Sequence, residues 1–497
     1  GRIIAGEKCA PQTPSAGVAD TVRQRHRAKL ASPLTIDSQT DSTEVRQSDS
    51  AERVGGFYDC ISEQIVVVTE DPAALRIDES VLAEELGHAI QDQQFDLSSY
   101  GRPTVDRDKG VLGLIEGDVG LVVDEYRAAC EAGEWSEPCL DGESDGGGGG
   151  DGPDIANWGL YFEEIHPYSD GPSFIEQTRA AGGWDAVNAL YDDPPTSALH
   201  VTYPDTLGAV ELTDPTVPDR STDAWDRVPL GVAPSGGDPL THDTLGISTI
   251  TGMFAAPAYE DDTARAVLPR SATTNFDDSG FVDQFDPHEF AHPETGGWSG
   301  DALYSYSGED NETATVWELV GASPEDAEPF VEGYEQLVDI RGGERVEGYA
   351  HTYSFDTETG YDIAVTLVPD GDRVTVVTAP TVEALTDVDQ QLELLPVGYD
   401  DGGTTDDSGG GTDDGTTDDS GGGTDDGTTD DGTVADGSDD GTGGDGSNGP
   451  SSVGADDTGN GGDAGSDTEL GIVILPAVGL SFLVLLALLS TGRQRGR

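Results

Sequence analysis

The chain has 497 residues, and 98 Asp and Glu against 24 Lys and Arg give it a formal net charge of −74 at pH 7. Recognition of phosphate requires a basic patch, so this composition argues against nucleic acid as a partner. Molar salt would screen the self-repulsion of such a charge, and an extreme halophile is therefore the expected source.

The first 53 residues are polar and irregular, and they predict no packed element. The sequence starts at Gly1 and no apolar signal region follows, which leaves a processed export signal and a truncated start as alternatives. The pattern of a folded core begins with an apolar strand predicted over 64–69.

Two helices follow, predicted over 78–95 and 110–129, and together they carry a candidate site. Glu84 and His88 stand four residues apart in the first helix, so their side chains project from the same face, with Glu85 beside them. In the second helix, Glu116 lies among apolar neighbours, where an unpaired carboxylate would be costly. A metal ion would neutralise these carboxylates, and one helix can offer two ligands and a general base in this way.

Several motifs follow one another in a definite order along residues 54–395. They are Gly56–Asp59, His88–Leu97, Glu116–Asp118, Pro167–Pro172, Gly182–Tyr191, Gly297–Asp301 and Ala314–Trp317. This series resembles a family of zinc metallopeptidases whose pattern reads HELTHALQDQHFDL followed by EGDA. The resemblance implies an α+β fold with a zincin-like metallopeptidase domain and a C-terminal extension.

The resemblance also implies roles for individual residues. His88 and Glu116 correspond to metal ligands and Glu85 to the catalytic base, while Glu84 stands where the family has its first histidine ligand. The expected cofactor is Zn²⁺, with another divalent cation or no metal as alternatives. A second family segment, STEQxLHPEKY, corresponds to 196–205 without its glutamate and its histidine.

Four cysteines allow three pairings. Cys130 and Cys139 flank a short segment and are the favoured disulfide, which leaves Cys9 and Cys60 as the second pair. Reduced thiols are the alternative, and a zinc site is disfavoured because the chain lacks any CxxC.

A literal HExxH occurs at His288–His292. The motif binds metal only from a helix, whereas Pro287 precedes it and Pro293 follows it. A loop is therefore predicted here.

The rest of the sequence divides by composition. Residues 54–140 form the zincin-like core, 141–154 a glycine-rich linker and 155–395 the remainder of the folded region, which is called the ectodomain because a membrane anchor is predicted after it. In that remainder we predict helices over 171–181 and 184–190, and strands over 345–354, 362–369 and 373–378. Residues 400–469 repeat a twelve-residue Asp/Gly/Ser/Thr unit that cannot bury a core, so a disordered acidic stalk is predicted over 396–469.

An uncharged apolar run, Leu470–Leu489, is long enough to cross a hydrocarbon core of about 30 Å. We predict a transmembrane helix over 470–492 and a cytoplasmic basic tail over 493–497, which places the ectodomain outside the cell. Asn311 begins a glycosylation sequon that fits this topology.

These features support two hypotheses. The first is a cell-surface, membrane-anchored metallopeptidase-like protein that hydrolyses peptide bonds, with a peptide or protein as its substrate. The second is a non-catalytic protein of the same fold that serves as a surface binding or structural module. Metal content distinguishes the two most directly.

Overall fold

The structure is a computed structural model, and the residues it describes fall in several ranges. They are 32–35, 45, 55–69, 79–134, 155–232, 239–260, 265–277, 279–309, 312–390, 392–398 and 471–476. The chain divides into two compact units, 1–401 with 469–497 and 402–468. The second unit lies outside the described residues, as do the linker over 141–154 and almost all of the predicted stalk.

The N-terminal elements hold the candidate site. They are β1 (Gly56–Asp59), β2 (Gln64–Thr69), α1 (Glu79–Phe95), α2 (Val105–Glu131), α3 (Trp158–Leu190) and α4 (Ala198–Thr202). Thr104 caps α2 by accepting a hydrogen bond from the Arg107 amide. The predicted strand and the first two helices are confirmed.

Helix α3 starts earlier than predicted, and it contains Pro167 and Pro172. Proline removes a backbone donor from a helix interior, so the sequence favoured a start after Pro167, with Pro172 in the first turn. In the structure, the part of α3 that contains these prolines packs against α2 and is helical in spite of them. A Cβ on Gly117 of α2 would lie 2.3 Å from the carbonyl oxygen of Gly171, so the two backbones nearly touch. Helix α3 then breaks at Gly183, whose φ of 72° suits glycine.

The C-terminal elements complete the fold. They are β3 (Asp226–Val228), β4 (Gly231–Val232), β5 (Pro239–Leu240), α5 (Gly246–Glu260), α6 (Pro293–Gly296), β6 (Trp298–Ser307), β7 (Thr313–Gly321), α7 (Pro324–Ile340), β8 (Glu344–Arg345), β9 (Thr352–Ser354), β10 (Ala364–Asp370), β11 (Arg373–Ala379) and α8 (Val382–Val388). Seven of the strands form an antiparallel sheet in the order β3-β6-β7-β11-β10-β9-β8.

Both faces of this sheet are covered. On β7, Trp317 faces the core that contains Phe330 of α7, while the preceding residue, Val316, packs with Leu385 of α8 on the opposite face. The alternation follows from the two-residue period of a strand. The fold is therefore α+β, as the sequence predicted.

One predicted element differs from the structure, and another is described only in small part. The strand expected over 345–354 is split into β8 and β9, and His351 between them has a φ of +51°. Of the predicted transmembrane helix, only 471–476 is described, and it forms a strand, β12 (Gly471–Pro476), that pairs antiparallel with β2. Its β-branched residues suit a strand. Among the described helices, none is both long and apolar enough to span a membrane.

Candidate metal centre

Helices α1 and α2 bring three potential ligands together. Glu84 and His88 project from one face of α1, and Glu116 reaches them from α2. One ligand atom from each side chain lies within 4.8 Å of the other two. The Nε2 atom of His88 is 3.2 Å from Oε2 of Glu116. The structure thus brings these three predicted site residues together.

A fourth predicted residue, Glu85, belongs to the same cluster. Its side chain is buried, with 1% of the residue exposed, and its charge interacts with those of Glu84, His88 and Glu116. Burial raises the pKa of the Glu85 carboxyl to about 8, the charge of His88 lowers it in part, and the two other glutamates raise it further. Glu85 can therefore accept and release a proton near neutral pH.

The negative charges of the cluster act on His88 in the opposite direction. Burial alone would lower its pKa, but Glu116, Glu85 and Glu84 outweigh burial and raise the pKa to about 10. In the metal-free protein a proton on the imidazole thus balances part of the negative charge. A divalent cation would balance more of it from the same position.

Several buried polar atoms at the centre make no hydrogen bond within the described part of the chain. They are both carboxylate oxygens of Glu116 and Nε2 of His88, whose contact with Glu116 is an ion pair. Buried oxygens and nitrogens normally find partners, and a metal ion would supply one. The donor set of two carboxylates and one imidazole suits a divalent cation, and it does not identify which one.

Gln91 fixes the orientation of His88. Its amide nitrogen faces three acceptors, the Ile115 carbonyl at 2.9 Å, Oδ2 of Asp118 at 3.1 Å and the Tyr191 hydroxyl at 2.9 Å. Its amide oxygen therefore faces Nδ1 of His88, at 2.9 Å. Because an amide oxygen can only accept, Nδ1 carries a proton, and Nε2 is the ring atom directed at Glu116.

Asp118 and Tyr191 hold Gln91 in turn. The Tyr191 hydroxyl donates to Oδ2 of Asp118 at 2.6 Å, and the tyrosine ring stacks on Phe95 of α1 at 3.8 Å between centroids. Tyr191 is the C-cap residue of α3 and follows the break at Gly183. Gln91 and Asp118 lie in the same two motifs as the predicted ligands. Tyr191 ends the motif Gly182–Tyr191, which gave no indication that it reaches the site.

Glycine permits the close crossing of α1 and α2. A Cβ on Gly87 would lie 2.1 Å from Cγ2 of Val119. Gly87 immediately precedes His88, and Val119 lies one turn after Glu116. Because Gly87 has no side chain, the two helices can come close enough for His88 of α1 to contact Glu116 of α2.

The HExxH sequence is not a metal site in the structure. His288–His292 is not helical, as predicted, and His292 lies at the N-terminus of the short helix α6. The His292 ring contacts the Glu289 carbonyl, and Nε2 of His288 lies 3.2 Å from the Tyr161 hydroxyl.

Other predicted residues are only partly covered. Cys60 and Cys130 are both disulfide-bonded, which excludes the reduced alternative for them. Cys9 and Cys139 lie outside the described residues, so the two pairings stay predictions. Asn311 also lies outside them.

Comparison with known proteins gives one match. Residues 234–389 match a family described as Domain of unknown function (DUF8575). This range covers most of the sheet and α5 to α8, and it does not include the candidate metal centre. No curated protein and no solved structure matches the chain.

Proposed function

We propose that this protein is a metal-dependent peptidase with a zincin-like fold, in which Glu84, His88 and Glu116 hold a divalent cation and Glu85 is the general base. The observation that carries the proposal is the convergence of three ligand atoms within 4.8 Å beside the buried carboxylate of Glu85. Zn²⁺ is the first candidate for the cation.

The residues divide the chemistry between them. A bound divalent cation would polarise the scissile carbonyl and make a neighbouring water more acidic. Glu85 would take the proton from the attacking water and deliver it to the leaving amine. Gln91 would keep Nε2 of His88 directed at the cation. Two carboxylates among the ligands would offset more of the charge of the cation than one would, which reduces its acidifying effect.

Metal analysis of the purified ectodomain tests the first half of this proposal. After equilibration with Zn²⁺, Mn²⁺ or Ca²⁺ and removal of free ions, we expect one bound cation per chain. The His88→Ala and Glu116→Gln variants should lose it. A wild-type protein that binds none of these cations would refute the metal centre.

Peptide hydrolysis in high salt tests the second half. The Glu85→Gln variant should keep its metal but lose activity by about 10²-fold or more, the scale of a general base. If the wild type binds metal but cleaves no peptide, the non-catalytic surface module is the better description. The two carboxylate ligands favour this second function.

We further propose that a C-terminal membrane anchor places the ectodomain outside the cell. The support is the apolar run over 470–489 and the arginines that follow it. In this proposal the residues of β12 leave β2 and join the membrane helix. Mild proteolysis of intact cells should release a soluble ectodomain from the membrane fraction. Recovery of the ectodomain from the cytoplasm would contradict this topology.

A further inference from the structure

A short N-terminal segment, Ser32–Thr35, lies deep inside the protein. Ser32 and Leu34 are both 0% exposed, and Thr35 is 3% exposed. The side chain of Leu34 is part of the main hydrophobic core. Leu34 has a φ of +52°, a conformation that residues other than glycine rarely adopt.

Side chains from distant elements hold the backbone of this segment. Tyr334 of α7 donates a hydrogen bond to the Ser32 carbonyl, and Tyr361 donates to the Leu34 carbonyl at 3.0 Å. Asn157 donates to the Thr35 carbonyl at 2.8 Å. Three of four consecutive carbonyl groups are therefore bound by side chains.

Side chains, and not a neighbouring strand, bind the backbone carbonyl groups of this segment. Within the described part of the chain, Ser32–Thr35 belongs to no sheet or helix and forms a turn. The hydroxyl groups of Ser32 and Thr315 are also in contact. A side chain buried in a pocket and hydrogen bonds to the main chain are also what hold a separate peptide in its binding site.

We propose that the region 234–389 contains a peptide-binding cleft whose ligand is the protein's own segment Ser32–Thr35. Three of the residues that hold the segment, Thr315, Tyr334 and Tyr361, come from this region. Asn157, which lies outside the region 234–389, forms another wall of the cleft and also caps α3. The cleft is a recognition site separate from the metal centre, and it binds a short peptide with a central leucine.

Excision of the segment from the folded protein tests the proposal. The full chain is prepared with cleavage sequences for a specific endoprotease in place of 19–24 and 38–43, folded, and then cut. The two cuts release the peptide 25–37 from any disulfide that Cys9 forms. Native mass spectrometry and gel filtration then report whether the peptide stays bound. A fluorescent synthetic peptide of the same sequence measures exchange.

We expect the excised peptide to remain bound and the labelled peptide to replace it saturably. The same peptide with Leu34→Asp should bind at least about 100-fold more weakly, because it would bury a charge in the core. Immediate loss of the peptide from a protein that stays folded would overturn the proposal, as would equal binding of the aspartate peptide. If cutting unfolds the protein, refolding on addition of the wild-type peptide supports the proposal, and failure to refold contradicts it.

Discussion

Among single residues, Gln91 offers the sharpest test of the metal centre, because it contacts a proposed ligand without being one. Replacing Gln91 with leucine removes the acceptor for Nδ1 of His88 and leaves the ring free to rotate. We expect metal affinity to fall by about 10–100-fold, the usual effect of losing such a partner. Competition with a chromophoric chelator measures the change.

Gln94→Leu provides the matched control, since Gln94 lies on the same helix with an exposed side chain. Its metal affinity should equal that of the wild type. Equal affinities for both variants would show that Gln91 does not orient the histidine.

Glu84→His restores the histidine that the resembling family carries at this position. The ligand set would change from two carboxylates and one imidazole to one carboxylate and two imidazoles, which zinc favours in catalytic sites. We expect zinc to bind about tenfold more tightly or better, and peptide hydrolysis to appear or increase. Unchanged zinc binding without activity would favour the non-catalytic module.

A third residue, Asp106, makes folding stability depend on pH. It lies in the first turn of α2, 3% exposed, and its Oδ1 accepts hydrogen bonds from the Ser197 hydroxyl and the Ala198 amide. Burial raises the pKa of the Asp106 carboxyl from 3.8 to about 7, and Asp301 adds to the rise. Between these two values the folded state binds more protons than the unfolded state, so this group lowers stability as pH increases.

Asp106→Asn keeps an acceptor oxygen and cannot ionise. At pH 8 the free energy of unfolding of the variant should therefore exceed that of the wild type by about 1–2 kcal/mol. This is less than the whole pKa shift of Asp106 implies, because the variant loses the charge-assisted hydrogen bonds. At pH 4 the difference from the wild type should be small or reversed. Urea unfolding at both pH values measures this, and identical pH dependence in the two proteins would contradict it.

At the level of helices, the contact between α2 and α3 depends on glycine. A Cβ on Gly117 would lie 2.3 Å from a backbone oxygen of α3, and a backbone atom cannot move aside as a side chain can. Gly117→Ala should destabilise the protein by about 1–3 kcal/mol or more. It should also weaken metal binding, because Glu116 is the preceding residue.

The Gly101→Ala variant controls for the loss of a glycine. A Cβ there would meet no atom within 4 Å, so stability should change by less than about 0.5 kcal/mol. Thermal unfolding of both variants distinguishes them, and equal melting temperatures would mean that the helices can separate without cost.

For the whole molecule, the net charge of −74 dominates the response to salt. Raising the salt concentration from 0.1 M to 1 M shortens the screening length from about 10 Å to about 3 Å. The folded protein should therefore melt at a temperature higher by roughly 5 °C or more. KCl and choline chloride at equal ionic strength should act alike if screening is the cause, and no rise in either salt would contradict this.

The sequence by itself determined the local part of the candidate site. The spacing of Glu84 and His88 fixes their common face as soon as a helix forms, because helical geometry depends only on neighbouring residues. The apolar surroundings of Glu116 predicted its burial. The prolines on either side of His288–His292 likewise excluded a helix there, since their effect on the backbone is also local.

Only the tertiary structure decided which distant residues support the site and the core. Tyr191 is separated from Gln91 by 100 residues, and Ser32 from Thr315 by 283. Contacts of that kind depend on the path of the whole chain, including the break of α3 at Gly183. Packing against the glycines of α2 also overrode the local preference of Pro167 and Pro172. Close packing between helices, which no local pattern records, was the stronger effect.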